Sequence, residues 1–234
     1  MRLFAIGDLH MSGGDEKPMD IFGPQWDRHF LRIKANWETT VGDGDTVLIP
    51  GDISWAMQLK DAREDLEQIG SLPGRKILCK GNHDYWWNSI TQVRSALPPS
   101  VTALQHDAAD LGDVVVCGTR GWLIPTAEQP LSEQDGKIYR REAERLRLAL
   151  EQGRGMAGDR PLIAMTHYPP LLPGEKDTLF TELLESYGVR NAVYGHLHGA
   201  GIQNGFSGVH HGVRYELVSC DSIGFAPKEI IPEK

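Results

Sequence analysis

The run Lys76-Ile77-Leu78-Cys79, followed after one residue by Gly81-Asn82-His83-Asp84, decides how this chain reads. A short apolar strand that stops at a glycine and then offers an amide, an imidazole and a carboxylate is building a site. Buried polar groups at a strand end need partners. Four further apolar runs end in the same way. Leu3 to Ile6 stops at Asp8-Leu9-His10, Thr46 to Ile49 at Pro50-Gly51-Asp52, Leu162 to Met165 at Thr166-His167, and Val189 to Tyr194 at Gly195-His196-Leu197-His198. Ligands of open α/β sheets bind outside the carboxyl ends of the strands, so the five endings are expected to converge. Residues two apart on an extended segment point to one side. Asp8 with His10, and His196 with His198, are therefore expected to aim at a common place.

Helical patterns separate these strands. Trp26, Phe30, Ile33 and Trp37 recur at helical spacing, so a helix is expected from Gln25 to about Thr39, with the tryptophans read as core. Leu59, Ala62, Leu66 and Ile69 mark a second helix, stopped by Gly70 and Pro73. A short helix is expected near residues 88–97, a strand over Val114 to Cys117, and a charged helix from about Ser132 to Gln152 with Ser132 as its cap. A helix near Thr178–Tyr187 follows, and the glycine-rich run 199–212 is expected to turn back into Val213 to Ser219 as a hairpin. Strands alternating with helices give an α/β fold, expected as a single domain over residues 1–234.

At 234 residues, 40% hydrophobic and 24% charged, the composition is that of a globular protein with a sizeable core. No apolar run approaches the roughly 18–20 residues needed to cross a bilayer, and Leu3 to Ile6 is too short for a secretory segment. Cys79, Cys117 and Cys220 are well separated and lie in apolar stretches, which reads as small reduced core residues and a cytoplasmic location. The net charge of −8 argues against a nucleic-acid surface. It leaves phosphate chemistry open, because bound cations invert the sign of a carboxylate-lined site.

The donor set narrows the ion. Imidazoles, carboxylates and one amide, without thiolate, suit Mn²⁺, Fe²⁺, Zn²⁺ or Co²⁺ better than Ca²⁺ or Mg²⁺. Asp8, His10, Asp52, Asn82, His167, His196 and His198 are too many donors for one tetrahedral ion. With one carboxylate shared, they suit two divalent ions about 3.5–4 Å apart.

Asp8-x-His10, Gly51-Asp52, Gly81-Asn82-His83-Asp84, His167 and Gly195-His196-x-His198 together resemble the calcineurin-like metallophosphoesterases. The resemblance implies two packed mixed β-sheets flanked by helices, with a dinuclear site at the strand ends. It implies that Asp8, His10, Asp52 and His198 hold one ion, and that Asp52, Asn82, His167 and His196 hold the other, with Asp52 bridging. His83 would then be a catalytic residue beside the phosphoryl group, oriented by Asp84. A metal-bound hydroxide would attack phosphorus in line in a small phosphomonoester or phosphodiester.

The sequence departs from named branches of that family. Phosphoprotein phosphatases carry an Arg after the second block, where this chain has Gly51-Asp52-Ile53-Ser54-Trp55, and a Glu in place of Asp84. Many cyclic-nucleotide phosphodiesterases carry a further Asp in that second block, also absent. The alternatives to a small-ester hydrolase are a catalytically silent interaction module on the same fold and a nuclease of the same superfamily. Several residues flank the donors as candidate substrate contacts. Trp55, Tyr85 and Trp86 either stack a leaving group or pack a helix on the sheet, the latter being preferred. Arg120, near Trp122, either grips an anion or forms a salt bridge. Tyr139, Arg140 and Arg141 start the charged helix, which would then act as a lid. His210 and His211 fall at a hairpin tip and receive no role.

Overall fold

The computed structural model describes residues 1–12, 19, 23–126, 128–174 and 176–232. In the first half, β1 (Leu3–Ala5), α1 (His29–Thr40), β2 (Thr46–Pro50), α2 (Leu59–Ser71), β3 (Arg75–Cys79), α3 (Ile90–Ala96) and β4 (Val101–Leu104) alternate as the sequence pattern requires. Strands β1 to β4 lie parallel, with Phe4 opposite Val47, Val47 opposite Lys76 and Lys76 opposite Val101. In the second half come β5 (Asp107–Asp110), β6 (Val115–Thr119), α4 (Glu133–Ala157), β7 (Leu162–Thr166), α5 (Leu179–Ser186), β8 (Asn191–Tyr194), β9 (Gly208–His210) and β10 (Val213–Leu217). They form a second sheet in the order β5-β6-β7-β8-β10-β9, antiparallel at both edges and parallel between. The last strand, β11 (Lys228–Glu229), returns antiparallel to β1 and closes the first sheet.

The two mixed sheets stack face to face, and helices cover both outer faces. Along β1, Leu3 and Ala5 point one way and Phe4 and Ile6 the other, the period-two alternation of a strand. Leu3, Ala5, Leu48 and Ile77 meet Val116, Ile163, Met165 and Val193 of the second sheet. Phe4, Val47, Ile49 and Leu78 face Ile33, Trp37, Leu66 and Ile69 of the helices. Val115, Leu162 and Ala164 lie under Leu146, Leu150 and Phe180. Strands buried on both faces are apolar throughout, which is why they read as continuous runs. Each large aliphatic side chain so buried contributes about 1.5–3 kcal/mol.

One buried residue of β3 is not apolar. Lys76 has no exposed surface, and its ammonium donates to the carbonyls of Gly70 (3.1 Å), Leu72 (2.7 Å) and Gly74 (2.8 Å). These carbonyls lie at the C-terminal end of α2 and just beyond it, where backbone acceptors lack helical partners.

Several boundaries differ from the sequence reading. Residues Pro24–Trp26 form one 3₁₀ turn, and Arg28 takes φ 43°, so α1 starts at His29 instead of Gln25. Trp26 is thereby released from the helix stripe. Helix α4 runs past Gln152 to Ala157 because Gly153 lets it ride close to the sheet; a Cβ there would meet Leu162 Cδ1 at 2.8 Å. Ser132 caps α4 by accepting from the Asp135 N–H, as expected. The hairpin β9–β10 is present, and the reading did not foresee β4, β5 or β11. Strand β5 is Asp107-Ala108-Ala109-Asp110 at a sheet edge, and β11 is two exposed residues, so neither carries an apolar signature. Among the described residues no helix is long and apolar enough to cross a membrane. The three cysteines are buried and unbridged.

Candidate metal centre

The carboxyl ends of the central strands meet where the two sheets join. Gly7, just past β1, bridges to Ser219, just past β10; its N–H donates to Val218 O (2.7 Å) and its carbonyl accepts from Cys220 N (3.0 Å). Asp8 N donates to Gly51 O and His10 N to Asp52 O, both at 3.0 Å, and Gly195 N donates to His167 O at 3.1 Å. The five sequence endings are thus sewn into one floor.

That floor is strained at four of the donor residues. Asp8 (φ 60°), His10 (φ 44°), Asp52 (φ 52°) and His196 (φ 75°) all occupy the left-handed region. Such conformations cost on the order of 1–3 kcal/mol each and persist only where the surroundings over-determine them. Two glycines make the approach feasible. A Cβ on Gly81 would run into Asp52, and one on Gly195 into the Asp8 carboxylate.

All seven donor side chains expected from the sequence converge. Asp8, His10, Asp52 and His167 are buried, while Asn82, His196 and His198 are half-buried. Asp8, His10 and His198 place ligand atoms within 4.8 Å of one another, and so do Asp8, Asp52 and His167. Asp52 Oδ2 stands between two imidazoles, 3.8 Å from His10 Nε2 and 3.5 Å from His167 Nε2. His10 Nε2 and His198 Nε2 approach to 3.3 Å, and His167 Nε2 and His196 Nδ1 to 3.2 Å. Asn82 Oδ1 sits at 2.6 Å from that His167 nitrogen and 2.9 Å from that His196 nitrogen. Lone pairs crowded in this way fit a cation placed among them, and this cluster is a buried Asp/His group of the kind that holds metal.

The rings are aimed from behind. His167 Nδ1 lies 2.9 Å from Pro50 O, which fixes its proton there and leaves Nε2 bare. His198 Nδ1 lies 2.9 Å from Asp221 Oδ1, whose other oxygen accepts from Gly199 N at 2.9 Å. The sequence reading missed Asp221, which backs His198. Its signal was of the same kind as the others: a carboxylate shortly after a strand, here β10.

Without a cation the electrostatics are unbalanced. Burial and the neighbouring Asp8 charge push Asp52 up to about 8. Burial also opposes ionisation of Asp8, but the His198 hydrogen bond and the surrounding imidazoles outweigh it and hold Asp8 well below its ordinary value. Burial works against a charged His198 as well; Asp221 and Asp8 overcome it and raise that ring to about 10. His196, desolvated and beside His167, falls to about 3. Two carboxylates this close cannot both ionise comfortably, and a positive ion removes the conflict.

His83 lies beside the donors. Its backbone N–H donates to Asp52 Oδ1 at 2.8 Å, and its ring sits between Trp55 (4.4 Å between centroids) and Tyr85 (6.1 Å). The expectation that Asp84 orients this ring fails. The Asp84 carboxylate is used up by four other donors: Ile53 N (2.9 Å), Ser54 N (3.2 Å), Gly81 N (2.8 Å) and Trp86 Nε1 (3.0 Å). Asp84 clamps the Asp52 loop to the Asn82 loop, and His83 Nδ1 has no hydrogen-bond partner among the described residues.

The flanking candidates separate. Trp55 stacks on His10 (4.9 Å, 22°) and walls the centre, and Tyr85 is exposed next to His83. Trp86 is buried core and bonds Asp84, so it is no pocket wall at the centre. The Arg120 guanidinium stacks on Trp122 (4.5 Å) and faces the buried Glu142 at 3.6 Å. It is a salt-bridge residue. The lid reading of the charged helix is overturned. Tyr139 is buried against Phe180, and its hydroxyl accepts from Leu179 N. Arg140 is exposed on the same helix, and α4 packs along β5, β6 and β7 as a layer of the sandwich. Two aromatic walls were missed. Tyr168 lies against His196 (4.3 Å, 41°), and Trp26 meets His10 and His198 edge-on.

Comparison with known proteins agrees with this geometry. Residues 1–200 match the family model for calcineurin-like phosphoesterase. A stretch of 79 residues is 38% identical to the gene 66 protein of Mycobacterium phage L5, covering 33% of this chain and 37% of that protein. The fold is similar to that of a phosphopantetheinyl hydrolase from Mycobacterium tuberculosis (TM-score 0.61, 15% identity, 99% of this chain and 96% of that one). It is also similar to a protein of unknown function from Aquifex aeolicus (TM-score 0.55, 14% identity, 97% of this chain and 95% of that one). At these identities the structural likeness concerns the fold.

Proposed function

We propose, from the premise that the chain belongs to the calcineurin-like phosphoesterase family, that it hydrolyses a small phosphate ester with two divalent cations. The observation that carries this reading is the position of Asp52 Oδ2 between His10 Nε2 and His167 Nε2. Asp8, His10, Asp52 and His198 would hold one ion, and Asp52, Asn82, His167 and His196 the other. Ions held there supply Lewis acidity to the phosphoryl oxygens and acidify the attacking water.

The chain's own residues supply the rest. Pro50 O and Asp221 fix the bare nitrogens of His167 and His198 toward the centre. Asp84 keeps the Asp52 and Asn82 loops in register. His83, tethered through its backbone to Asp52 and wedged against Trp55, is placed to give a proton to the departing ester oxygen. A complete donor set with His83 beside it favours an enzyme over a silent interaction module. Both sheets contribute to the one centre, which supports treating the chain as a single domain. Buried free thiols support a reducing, cytoplasmic setting.

The test pairs two measurements on purified protein: metal content, and hydrolysis of p-nitrophenyl phosphate against bis(p-nitrophenyl) phosphate with Mn²⁺ supplied. Two ions per chain with turnover are expected, the rate ratio assigning monoester or diester. Failure to retain any Mn²⁺, Fe²⁺, Zn²⁺ or Co²⁺ would overturn the proposal.

A further inference from the structure

Beside the metal centre lies a cavity of about 300 Å³, at the small end of the range for ligand pockets. His196 forms part of its wall, so whatever fills it abuts the centre. Its apolar walls include Trp122 and Tyr168, whose rings pack at 5.3 Å, with Ile124, Leu131, Leu172 and Leu197.

The polar groups in its lining are largely occupied with one another. Trp122 Nε1 donates to Asp135 Oδ1 (3.2 Å), Ser132 Oγ donates to Asp135 Oδ2 (2.6 Å), and Thr126 Oγ1 accepts from Gln129 N (3.0 Å). No lysine or arginine lines the cavity among the described residues, and the one carboxylate, Asp135, repels anions. The nearby guanidinium of Arg120 is held on the Trp122 face by Glu142. A site for a second phosphate or a carboxylate would need the cation that this wall lacks. An uncharged ring fits it, since aromatic and aliphatic walls reward apolar area and stacking.

We propose that this cavity is the leaving-group pocket, and that it selects esters whose alcohol is uncharged and apolar, an aryl alcohol above all. The proposal rests on the phosphohydrolase reading and adds the substrate class to it. Tyr168 couples the two parts: its ring packs against both Trp122 and the His196 imidazole. An aryl group in the cavity would place its ester oxygen at the His196 edge of the centre.

Two readouts test it. The first is binding of 2-naphthol alone, followed by calorimetry, to the wild type and to the cavity-filling variants Leu172→Trp and Leu131→Trp. Both leucines are only partly buried, and an unchanged circular dichroism spectrum identifies which variant is folded. The second is hydrolysis of 2-naphthyl phosphate against 6-carboxy-2-naphthyl phosphate, the same ring with one added charge. Expected are saturable naphthol binding that a folded filling variant loses, and a KM roughly tenfold or more lower for the uncharged ester. The filling variant should raise that KM with inhibition by inorganic phosphate unchanged, because only the alcohol's binding is removed. Naphthol binding unaffected by filling, or equal KM for the two esters, overturns the pocket even if hydrolysis is robust. Naphthol binding lost on filling, with no ester hydrolysed, supports the pocket and overturns the phosphohydrolase reading instead.

Discussion

Two of the places where the molecule buries charge do so in opposite ways. Under the end of α2, Lys76 brings one ammonium to three carbonyls that satisfy its hydrogen bonds within the protein, although burial pulls it down to about 8. At the sheet junction, Asp8 and Asp52 bring two carboxylates to a cluster of imidazoles and one amide. Their backbones are strained and one carboxyl group is pushed up to about 8. A buried charge that is fully satisfied is architecture. A buried charge set that conflicts with itself suits a bound cation.

The sharpest way to break this contrast is Asp52→Asn. Activity is expected to vanish, and metal affinity to fall by more than the roughly 10–100-fold typical of losing a mere outer partner. In EDTA at pH 8.5, however, the variant should melt no lower than the wild type, because the like-charge conflict is gone. Metal content by mass spectrometry, turnover and thermal melting read the three effects. Full activity with metal verified would contradict the bridging role.

Next in size is His83→Ala, expected to lower turnover by about 10²–10⁴-fold while both ions stay bound. Loss of metal in that protein would make His83 structural. Smaller again is Asp221→Ala. Releasing Nδ1 of His198 should cost about 10–100-fold in metal affinity, read by competition with a chelator, with the fold intact by circular dichroism. On the other side of the comparison, Lys76→Met should cost on the order of 1–3 kcal/mol in chemical denaturation, because it strands buried carbonyls. Its metal content should not change.

The smallest effect is a pH dependence of the metal-stripped protein. Burial and Asp8 raise Asp52 to about 8, and Asp221 and Asp8 outweigh burial to raise His198 to about 10. Both groups then hold more protons folded than unfolded between pH about 6.5 and about 8, so their contribution to stability falls as pH rises through that window. His10, His167 and His196, held below the ordinary imidazole value, oppose this near pH 6.5, so the melting temperature in EDTA should drop in the upper part of the window, where ordinary imidazoles are already neutral. With Mn²⁺ present the trend should reverse, since binding requires the deprotonated carboxylate and the neutral ring.

The donor residues were legible because each stands directly after an apolar strand, and a strand end is a position that sequence patterns reveal. Asp221 obeyed the same rule but follows a glycine-rich hairpin, whose turn signal dominates the local sequence pattern. Asp84 was found for the right reason and given the wrong duty. Sequence adjacency to His83 suggested a contact, whereas the loop geometry turns its carboxylate toward four other donors. Tyr139 was misread because polarity in a sequence does not say which face of a helix it occupies, and for the same reason Arg120 stood open between an anion grip and the salt bridge with Glu142 that the structure shows. Strands β5 and β11 escaped because edge strands need little apolar surface.

The pairing of His10 with His198, 188 residues apart, has a consequence for synthesis. At about 5–20 residues per second, a ribosome makes the second imidazole roughly 10–40 s after the first. During that interval Asp8, His10 and Asp52 exist without the half-site that completes them. Metal capture at such a centre would therefore be a late event, and a loaded centre would report that residues 8 and 198 have come together.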